Sequence, residues 1–507
     1  MKHTWTLAIL LLLLAALPCS ANEIAAQIDK QLASILPEGT AATTPCDEAT
    51  FLRRVSLDLI GRIPTAAEAQ AFASQKTATA RAEAIFELAN SPAAAQRLAT
   101  FVRSLWFPQT SVAPYEYLAP DTEAWVAQQL RRGEPLNEIA RQLISVSYAP
   151  HTGAGQNEAL LSVPKTIIEA NDHRPERMAA NATGEFLGVD LSCAQCHDHP
   201  FHAWSQDQFW QTAAYFEPLK SGETAHDAWQ KQTIAIPDTD RTVSPALFTG
   251  ESWSPKVAPA TAISGREVFA QWVSQQSNRY FARWTVNQLW AELLGQPLVT
   301  LHPEQFSPAA REETLEFLSG EFVKHQFDLR WLASTIVATQ AYQAKSLAAS
   351  SIEGEYPYVQ VRGLTGPQLF DSLSVAAGRP PLRTDLDSAE TIGRRSDFVA
   401  AFPAYRTVDA QRSATQALAL MNGPIVEQFC VPQSNPLVQG LAAAPFLSEE
   451  ECVSSLFWST LGRAPHDEEW KRLSQHGFLQ EDADTRARRL SELFWVLINT
   501  VEFNTNH

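Results

Sequence analysis

The chain has 507 residues and is acidic, with 39 Lys and Arg against 56 Asp and Glu and a formal net charge of −17. Hydrophobic residues make up 45% and charged residues 19% of the sequence, which are values of a globular protein and exclude a mostly disordered chain. The acidic balance makes nucleic acid a poor partner, because binding to phosphates depends on clustered Lys and Arg. The length exceeds what one hydrophobic core usually organises, so we expect two domains.

The first residues have the pattern of a secretory signal peptide. Lys2 precedes an unbroken apolar run over residues 7–17, and a small residue, Ala21, follows soon after. This pattern predicts that residues 1–21 are a signal peptide and that the mature chain is secreted to the periplasm or cell envelope. The alternative is a lipid anchor on Cys19, but the residues before this cysteine fit that context badly. Neither this run nor any later one is long enough to cross a bilayer, so we predict no membrane span.

Five cysteines remain once the signal peptide is removed: Cys46, Cys193, Cys196, Cys430 and Cys452. Five are too few, in a chain of this length, to form a disulfide scaffold. Cys430 and Cys452 lie close enough in sequence to pair in an oxidising compartment, and two buried thiols are the equal alternative. Cys193 and Cys196 belong to a separate motif.

The spacing of hydrophobic residues is helical nearly throughout. Leu315, Leu318 and Phe322 recur at intervals of three and four, which places them on one helix face. Alternating, strand-like runs are scarce, and the best are residues 232–236 and 356–361. We therefore predict a mainly α fold. Four helix starts match the capping box: Thr65 with Glu68, Ser205 with Gln208, Thr365 with Gln368, and Ser448 with Glu451.

One long stretch interrupts this helical pattern. Between about residues 217 and 264 the periodicity stops and Pro recurs, as expected of a linker. A second irregular stretch, residues 378–410, is predicted to be a long loop. The sequence thus predicts two helical domains joined by an irregular Pro-containing connection: residues 22–220 for the first domain, 221–263 for the connection and 264–507 for the second domain.

Several large residues in helical runs are predicted to lie in the core. Met421 ends an apolar run over residues 417–421. Four tryptophans also fall within helical patterns, where packing in the core is favoured over stacking on sugars: Trp125, Trp284, Trp290 and Trp331.

Residues 193–202, with the sequence CAQCHDHPFH, form the one motif that carries chemistry. Cys193, Cys196 and His197 match the c-type haem attachment pattern. Two thiols three positions apart can form thioether bonds to the two vinyl groups of one porphyrin, and the adjoining imidazole then reaches the iron as an axial ligand. Export agrees with this interpretation, because covalent haem attachment occurs outside the bacterial cytoplasm. We therefore predict an exported, cytochrome-like protein with covalent haem c and a redox or electron-transfer role.

Other interpretations of the motif stay open. Zinc could be bound by the two cysteines with His199 or His202, since zinc accepts thiolate and imidazole ligands together. A Cys193–Cys196 disulfide, or a purely structural turn without any cofactor, is the remaining reading. The chain would then be a non-haem metal-binding or structural protein of the cell envelope. An envelope enzyme of unknown substrate is a further alternative, and whether the chain is an enzyme is left open.

The residues around His197 offer candidates for supporting roles. The carboxylate of Asp198 could orient the His197 ring through the second ring nitrogen, or Asp198 could belong to a tight turn that ends at Ser205. His173 and Met178 are the nearest candidates for a second axial ligand, although His173 is predicted to be a surface residue and Met178 a core residue.

Five sequence blocks resemble one family of exported proteins. They are residues 51–61 (FLRRVSLDLIG), 186–201 (FLG leading into CAQCHDHPF), 278–290 (NRYFARWTVNQLW), 415–422 (TQALALMN) and 461–465 (LGRAP). In this order they resemble the planctomycete cytochrome-c-associated proteins, which have two adjoining domains of unknown function. The resemblance implies a periplasmic or cell-surface location and haem association through the Cys193 motif. An unknown redox partner or envelope component is the implied partner.

Overall fold

The structure is a computed structural model of the chain. It describes residues 21–35, 44–75, 77–147, 161–199, 204–218, 228–255, 263–300, 307–346, 356, 358–380, 389–410, 413–444, 446–474 and 483–507. The predicted signal peptide therefore lies, except for Ala21, outside the described residues.

The fold is mainly α, as the sequence predicts. The described residues form 24 α-helices and two short two-stranded antiparallel sheets. The helices are α1 (residues 21–33), α2 (Glu48–Ile60), α3 (Ala66–Ser74), α4 (Ala80–Ala89), α5 (Pro92–Trp106), α6 (Ala119–Arg131), α7 (Leu136–Ser145), α8 (Thr166–Glu169), α9 (Pro175–Leu187), α10 (Gln206–Ala214), α11 (Gly265–Ser274), α12 (Arg279–Leu294), α13 (Ala309–Lys324), α14 (Leu329–Ala338), α15 (Gln340–Gln343), α16 (Gly366–Ala376), α17 (Ala389–Ala401), α18 (Ala414–Asn422), α19 (Pro424–Cys430), α20 (Pro436–Ala442), α21 (Glu449–Thr460), α22 (Asp467–Ser474), α23 (Ala483–Ile498) and α24 (Val501–Asn504). The strands are β1 (Ile234–Ala235) paired with β2 (Thr242–Val243), and β3 (Arg362–Gly363) paired with β4 (Thr505–Asn506).

The chain divides into two compact units. Unit 1 comprises Met1–Arg97, Trp290–Pro297 and Ala333–His507, and unit 2 comprises Leu98–Leu289 and Leu298–Leu332. The division at residues 221–263 that the sequence suggests stays a prediction. No helix in the described part of the chain is long and apolar enough to cross a membrane.

Helix starts were the most accurate local prediction. All four predicted capping boxes are formed, with the hydroxyl and the third-residue side chain satisfying opposing backbone N–H groups. A fifth box, Ser413 with Gln416 at the start of α18, was not predicted. These contacts depend only on residues three positions apart, which is why the sequence shows them.

One hydrophobic cluster of unit 1 is built mainly from its C-terminal helices. Leu373 of α16, Leu456 of α21 and Leu490 of α23 are completely buried in one hydrophobic cluster. Phe494 and Ile498 continue the buried face of α23 at intervals of four residues. Helix spacing of apolar residues therefore accounts for this core.

Unit 1 also contains buried charged residues, beginning with Asp58 of α2. One Asp58 carboxylate oxygen accepts hydrogen bonds from Arg362 Nη2 at 2.9 Å and from Tyr342 Oη at 2.7 Å. The other accepts from Asn506 Nδ2 at 3.0 Å. Every one of these four side chains is buried. The carboxylate thus links α2 to β3 and β4.

Glu292 of α12 forms a second buried ion pair in the same unit. Its Oε1 lies 2.6 Å from Arg97 Nη2, and both of its oxygens accept from the Thr407 backbone N–H at 3.0 and 3.1 Å. Arg362 Nη1 donates to the Glu292 carbonyl and so joins the two pairs. We call Asp58, Glu292, Arg97, Arg362 and these partners the buried ionic network.

In unit 2, α7 packs against α11 and α10 packs against α9. Trp106 at the end of α5 stacks on Phe186 of α9, with ring centroids 4.6 Å apart. Asn181 Nδ2 of α9 donates to the Trp106 carbonyl at 2.9 Å. These contacts fix α9, the helix that leads into the motif, on the core of its unit.

Two sequence predictions about the C-terminal half were wrong. Residues 378–410 are not one long loop, because α17 occupies thirteen of them. Met421 is not a core residue but is 44% exposed, since α18 buries only Leu420 among the residues of its apolar run. The apolar run correctly indicated a helix, but it did not show that other elements cover so little of the surface of α18.

The tryptophan prediction was largely right. Trp125, Trp290 and Trp331 are buried. Trp284 is half-buried and donates its Nε1–H to the Glu185 carbonyl at 2.7 Å. The predicted strand at 232–236 is present in part as β1, whereas the one at 356–361 is displaced to β3.

Candidate functional site

The segment leading into the motif begins at a glycine that ends α9. Gly188 has φ of 68°, a left-handed conformation that glycine adopts without strain. The Gly188 and Val189 N–H groups donate to the carbonyls of Gly184 and Thr183 at 3.0 and 2.9 Å. A Cβ at position 188 would also lie 2.4 Å from Cε3 of Trp284. Glycine is therefore required here for two reasons, and it directs the chain into the motif.

The first half of the motif is a short 3-10 helix over Ser192–Gln195. Asp190 Oδ1 starts this helix by accepting from the Ser192 N–H at 2.8 Å and from its hydroxyl at 2.5 Å. Cys193 and Cys196 are both exposed and are not paired in a disulfide. The turn thus presents two thiols to solvent.

His197 follows directly and is also exposed. Its Nδ1 lies 2.7 Å from the Asp198 carbonyl oxygen. Because a carbonyl only accepts hydrogen bonds, this contact requires the proton of a neutral imidazole to be on Nδ1. The lone pair of Nε2 is then available to bind a metal ion.

Helix α10 holds the backbone of the motif from the side. Gln206 Nε2 donates to the carbonyls of Gln195 and Cys196 at 3.3 and 3.0 Å. Trp210 Nε1 donates to the Gln195 carbonyl at 3.0 Å. The sequence indicated that α10 starts at Ser205, but nothing in it showed that Gln206 and Trp210 point back at the motif.

Asp198 acts through its backbone and its side chain in different places. Its carbonyl orients the His197 ring, whereas its carboxylate Oδ1 accepts from the Gln206 backbone N–H at 2.8 Å. The carboxylate therefore takes part in the turn that leads into α10, and the group that contacts the His197 ring is the Asp198 backbone carbonyl instead of the carboxylate that the sequence suggested. The His199 N–H donates to the Trp204 carbonyl at 2.7 Å, which closes the turn.

The other candidate ligands lie in different surroundings. His199 is half-buried, and His202 lies outside the described residues, as does Pro200. Met178 is completely buried in α9, as predicted, and His173 is exposed after α8 with φ of 59°. Within the described ranges, no three His, Cys, Asp or Glu side chains come close enough together to hold a metal ion.

Cysteines outside the motif are less accessible. Cys46 and Cys452 are buried and Cys430 is half-buried, and none of them is paired in a disulfide. Burial raises the pKa of the Cys430 thiol to about 12 and also raises the pKa of Cys452. The thiols of Cys430 and Cys452 are therefore poor nucleophiles at neutral pH. Cys193 and Cys196 differ from them in being exposed.

Two segments of the chain match models of known families. Residues 24–221, which include the motif, match the family described as PSCyt2, a protein of unknown function (DUF1549). Residues 265–392 match the family described as PSD1, a protein of unknown function (DUF1553). The chain thus contains two adjoining domains of unknown function. No curated protein and no solved structure matches it.

Proposed function

We propose that this chain is exported, binds a c-type haem covalently through Cys193 and Cys196 with His197 as an axial ligand, and takes part in redox chemistry. The observation that carries the proposal is the combination of two exposed, unpaired thiols and an adjoining imidazole on one turn. A bound haem would supply one-electron chemistry, and the protein would supply attachment, orientation and surroundings.

The state of the two cysteines suits covalent attachment. A thioether forms when an S–H group adds across a vinyl C=C bond: the sulfur bonds to one carbon and the hydrogen goes to the other. Nothing is oxidised or reduced and no group leaves, so the step requires thiols and not a disulfide. Cys193 and Cys196 are unpaired and accessible from solvent, which meets this requirement.

The state of His197 suits iron binding. Ligating histidines usually donate their second ring N–H to a carbonyl or carboxylate, which fixes the tautomer and the ring orientation. The contact from Nδ1 to the Asp198 carbonyl has this form and leaves Nε2 as the ligating atom. Among the described residues the ring makes no other hydrogen bond.

The proposal is tested by making the full chain in an exporting host with active cytochrome c maturation. We expect a Soret absorption band that stays with the protein after denaturation. The Cys196→Ala variant should lose this covalently held pigment or keep it through one thioether only. Cys430→Ala removes an unpaired but half-buried cysteine away from the motif, and should retain the pigment fully.

Three results would contradict the proposal, and each points elsewhere. A colourless protein that contains one zinc ion per chain, and loses this zinc in the Cys196→Ala variant, would favour a metal site. A colourless protein in which Cys193 and Cys196 resist alkylation until reduced would favour a disulfide. Pigment that stays covalently bound in a Cys193→Ala/Cys196→Ala variant would place attachment at another position.

A further inference from the structure

One residue of α10 contacts the residues on both sides of His197. Gln206 Nε2 donates to the Cys196 carbonyl at 3.0 Å, and the Gln206 backbone N–H donates to the Asp198 carboxylate at 2.8 Å. The Cys196 carbonyl before His197 and the Asp198 carboxylate after it are thereby tied to the same residue. We call these two contacts the Gln206 clamp.

The orientation of the Gln206 amide is fixed from behind. Its Oε1 accepts from Arg241 Nη2 at 2.8 Å, and the Nη1 of the same guanidinium lies 2.6 Å from Asp207. Because a guanidinium only donates, the amide oxygen must face Arg241 and the amide NH2 group must face the carbonyls. The clamp is therefore held in the one orientation that can donate to the motif.

We infer that Gln206 is a positioning residue for His197, holding the Cys196–Asp198 backbone so that Nε2 points at the haem iron. The inference rests on the proposed function and extends it to a residue outside the attachment motif. Residues that orient a metal ligand typically contribute about 10- to 100-fold to metal affinity. The same helix offers a matched contrast in Gln208. Its side chain caps α10 at Ser205 and donates to the Phe248 carbonyl, and it makes no hydrogen bond to residues 193–199 of the motif.

Two substitutions separate positioning from helix stability. Gln206→Glu keeps an oxygen for Arg241 and adds a negative charge at a helix N-terminus, which favours the helix, but it removes the donor to the Cys196 carbonyl. Gln208→Ala removes half of the capping box and weakens the helix, but it leaves the clamp in place. If Gln206 acts only by stabilising α10, hydrogen exchange of the motif should change more in Gln208→Ala. If Gln206 positions His197, exchange should change more in Gln206→Glu.

The experiment measures covalent haem content, reduction potential and hydrogen exchange of the peptide that contains residues 193–199. We expect Gln206→Glu to keep covalent haem, because both thiols remain, and to shift the potential by about 59 mV for each tenfold change in relative affinity of the two oxidation states. Exchange in the motif should be faster in Gln206→Glu, also in the haem-free protein. Gln208→Ala should match the wild type in potential and in exchange of the motif.

The outcomes distinguish failure of the clamp from failure of the proposed function. Gln206→Glu with wild-type exchange in the motif overturns the inference whatever its potential, because the added carboxylate can shift the potential through its charge alone. Equally fast exchange in Gln208→Ala overturns it too. A wild-type chain that never acquires haem overturns the proposed function and the role of Gln206 toward iron, and exchange in the haem-free protein then shows only whether the clamp orders the turn.

Discussion

The chain holds two sets of chemically capable side chains in opposite surroundings. In the buried ionic network of unit 1, Asp58, Arg362 and Glu292 are almost completely shielded from solvent, and the carboxylates are surrounded by donors. In the motif of unit 2, Cys193, Cys196 and His197 are exposed, and the hydrogen bonds that hold the turn mostly go to backbone groups.

This difference separates structural from functional polar residues. A buried charge is costly unless it is paired, so the network reads as part of what holds unit 1 together. Among the residues that the structure describes, the motif is held in place through its backbone, and its two thiols and His197 Nε2 make no hydrogen bond. Such an arrangement fixes the position of the reactive groups and leaves them accessible for bonding.

The largest expected effect is in the network. Arg362→Ala leaves the Asp58 carboxylate buried without its ion partner, which should destabilise the protein by about 3–5 kcal/mol. Urea denaturation would measure the loss. As a control, Arg489→Ala removes an exposed pair with Glu492 in the same unit and should cost no more than about 1 kcal/mol. Equal stability of the two variants would show that the buried pair does not support the fold.

A smaller effect, with a dependence on pH, is expected at Glu292. Burial alone would raise the pKa of this carboxyl, but Arg97 and Arg406 outweigh burial and the pKa is lowered. Its contribution to stability is thus complete above the unfolded pKa of about 4.3 and is lost as pH falls through the lower folded pKa. Glu292→Gln should cost about 2–3 kcal/mol at neutral pH, since charged hydrogen bonds are lost.

Urea denaturation of both proteins at a series of pH values tests this prediction. Between about pH 6 and pH 3, the difference in urea midpoint between wild type and Glu292→Gln should shrink. A difference that stays constant over this range would mean that the ionised Glu292 contributes nothing through its charge.

The next effect concerns the entry to the motif. Gly188→Ala requires a left-handed alanine and places its Cβ against Trp284, so we expect a loss of about 2 kcal/mol or more. Gly184→Ala is the matched control, because a Cβ there meets no atom within 4 Å. Thermal unfolding should show a lower midpoint for the first variant only, and equal midpoints would contradict the geometry at Gly188.

The smallest effect is expected at the motif thiols in the haem-free protein. Cys193→Ser changes an exposed side chain, so stability should stay within about 0.5 kcal/mol of the wild type. Urea denaturation of the haem-free chains measures it. A large loss of stability would mean that the thiol has a structural role, and the contrast with the network would fail.

Contacts between residues close together in sequence could be predicted, whereas contacts between distant residues could not. Capping boxes and the Cys193–His197 motif involve residues within four positions of each other, so their patterns are visible directly. Asp58 and Arg362 are 304 positions apart, and no sequence pattern pairs them. Gln206 lies ten positions from Cys196, but its contact depends on how α10 turns back after the motif.

The two errors have different physical origins. Met421 was predicted to be buried because its helix is apolar, yet burial depends on which elements cover α18 and not on its own composition. Helix α17 was missed because Pro380 and Pro381 and mixed charges suggested a loop. Local composition therefore failed once for the burial of a helix and once for the type of an element.

The central claim is covalent attachment at Cys193 and Cys196, and mass spectrometry of one proteolytic fragment tests it most directly. Cleavage after Arg177 and Lys220 releases residues 178–220 with the whole motif. From protein matured in the export pathway, we expect this fragment with the added mass of one haem on the two cysteines. An unmodified fragment 178–220, from a host that attaches haem to a known cytochrome in the same culture, would contradict it.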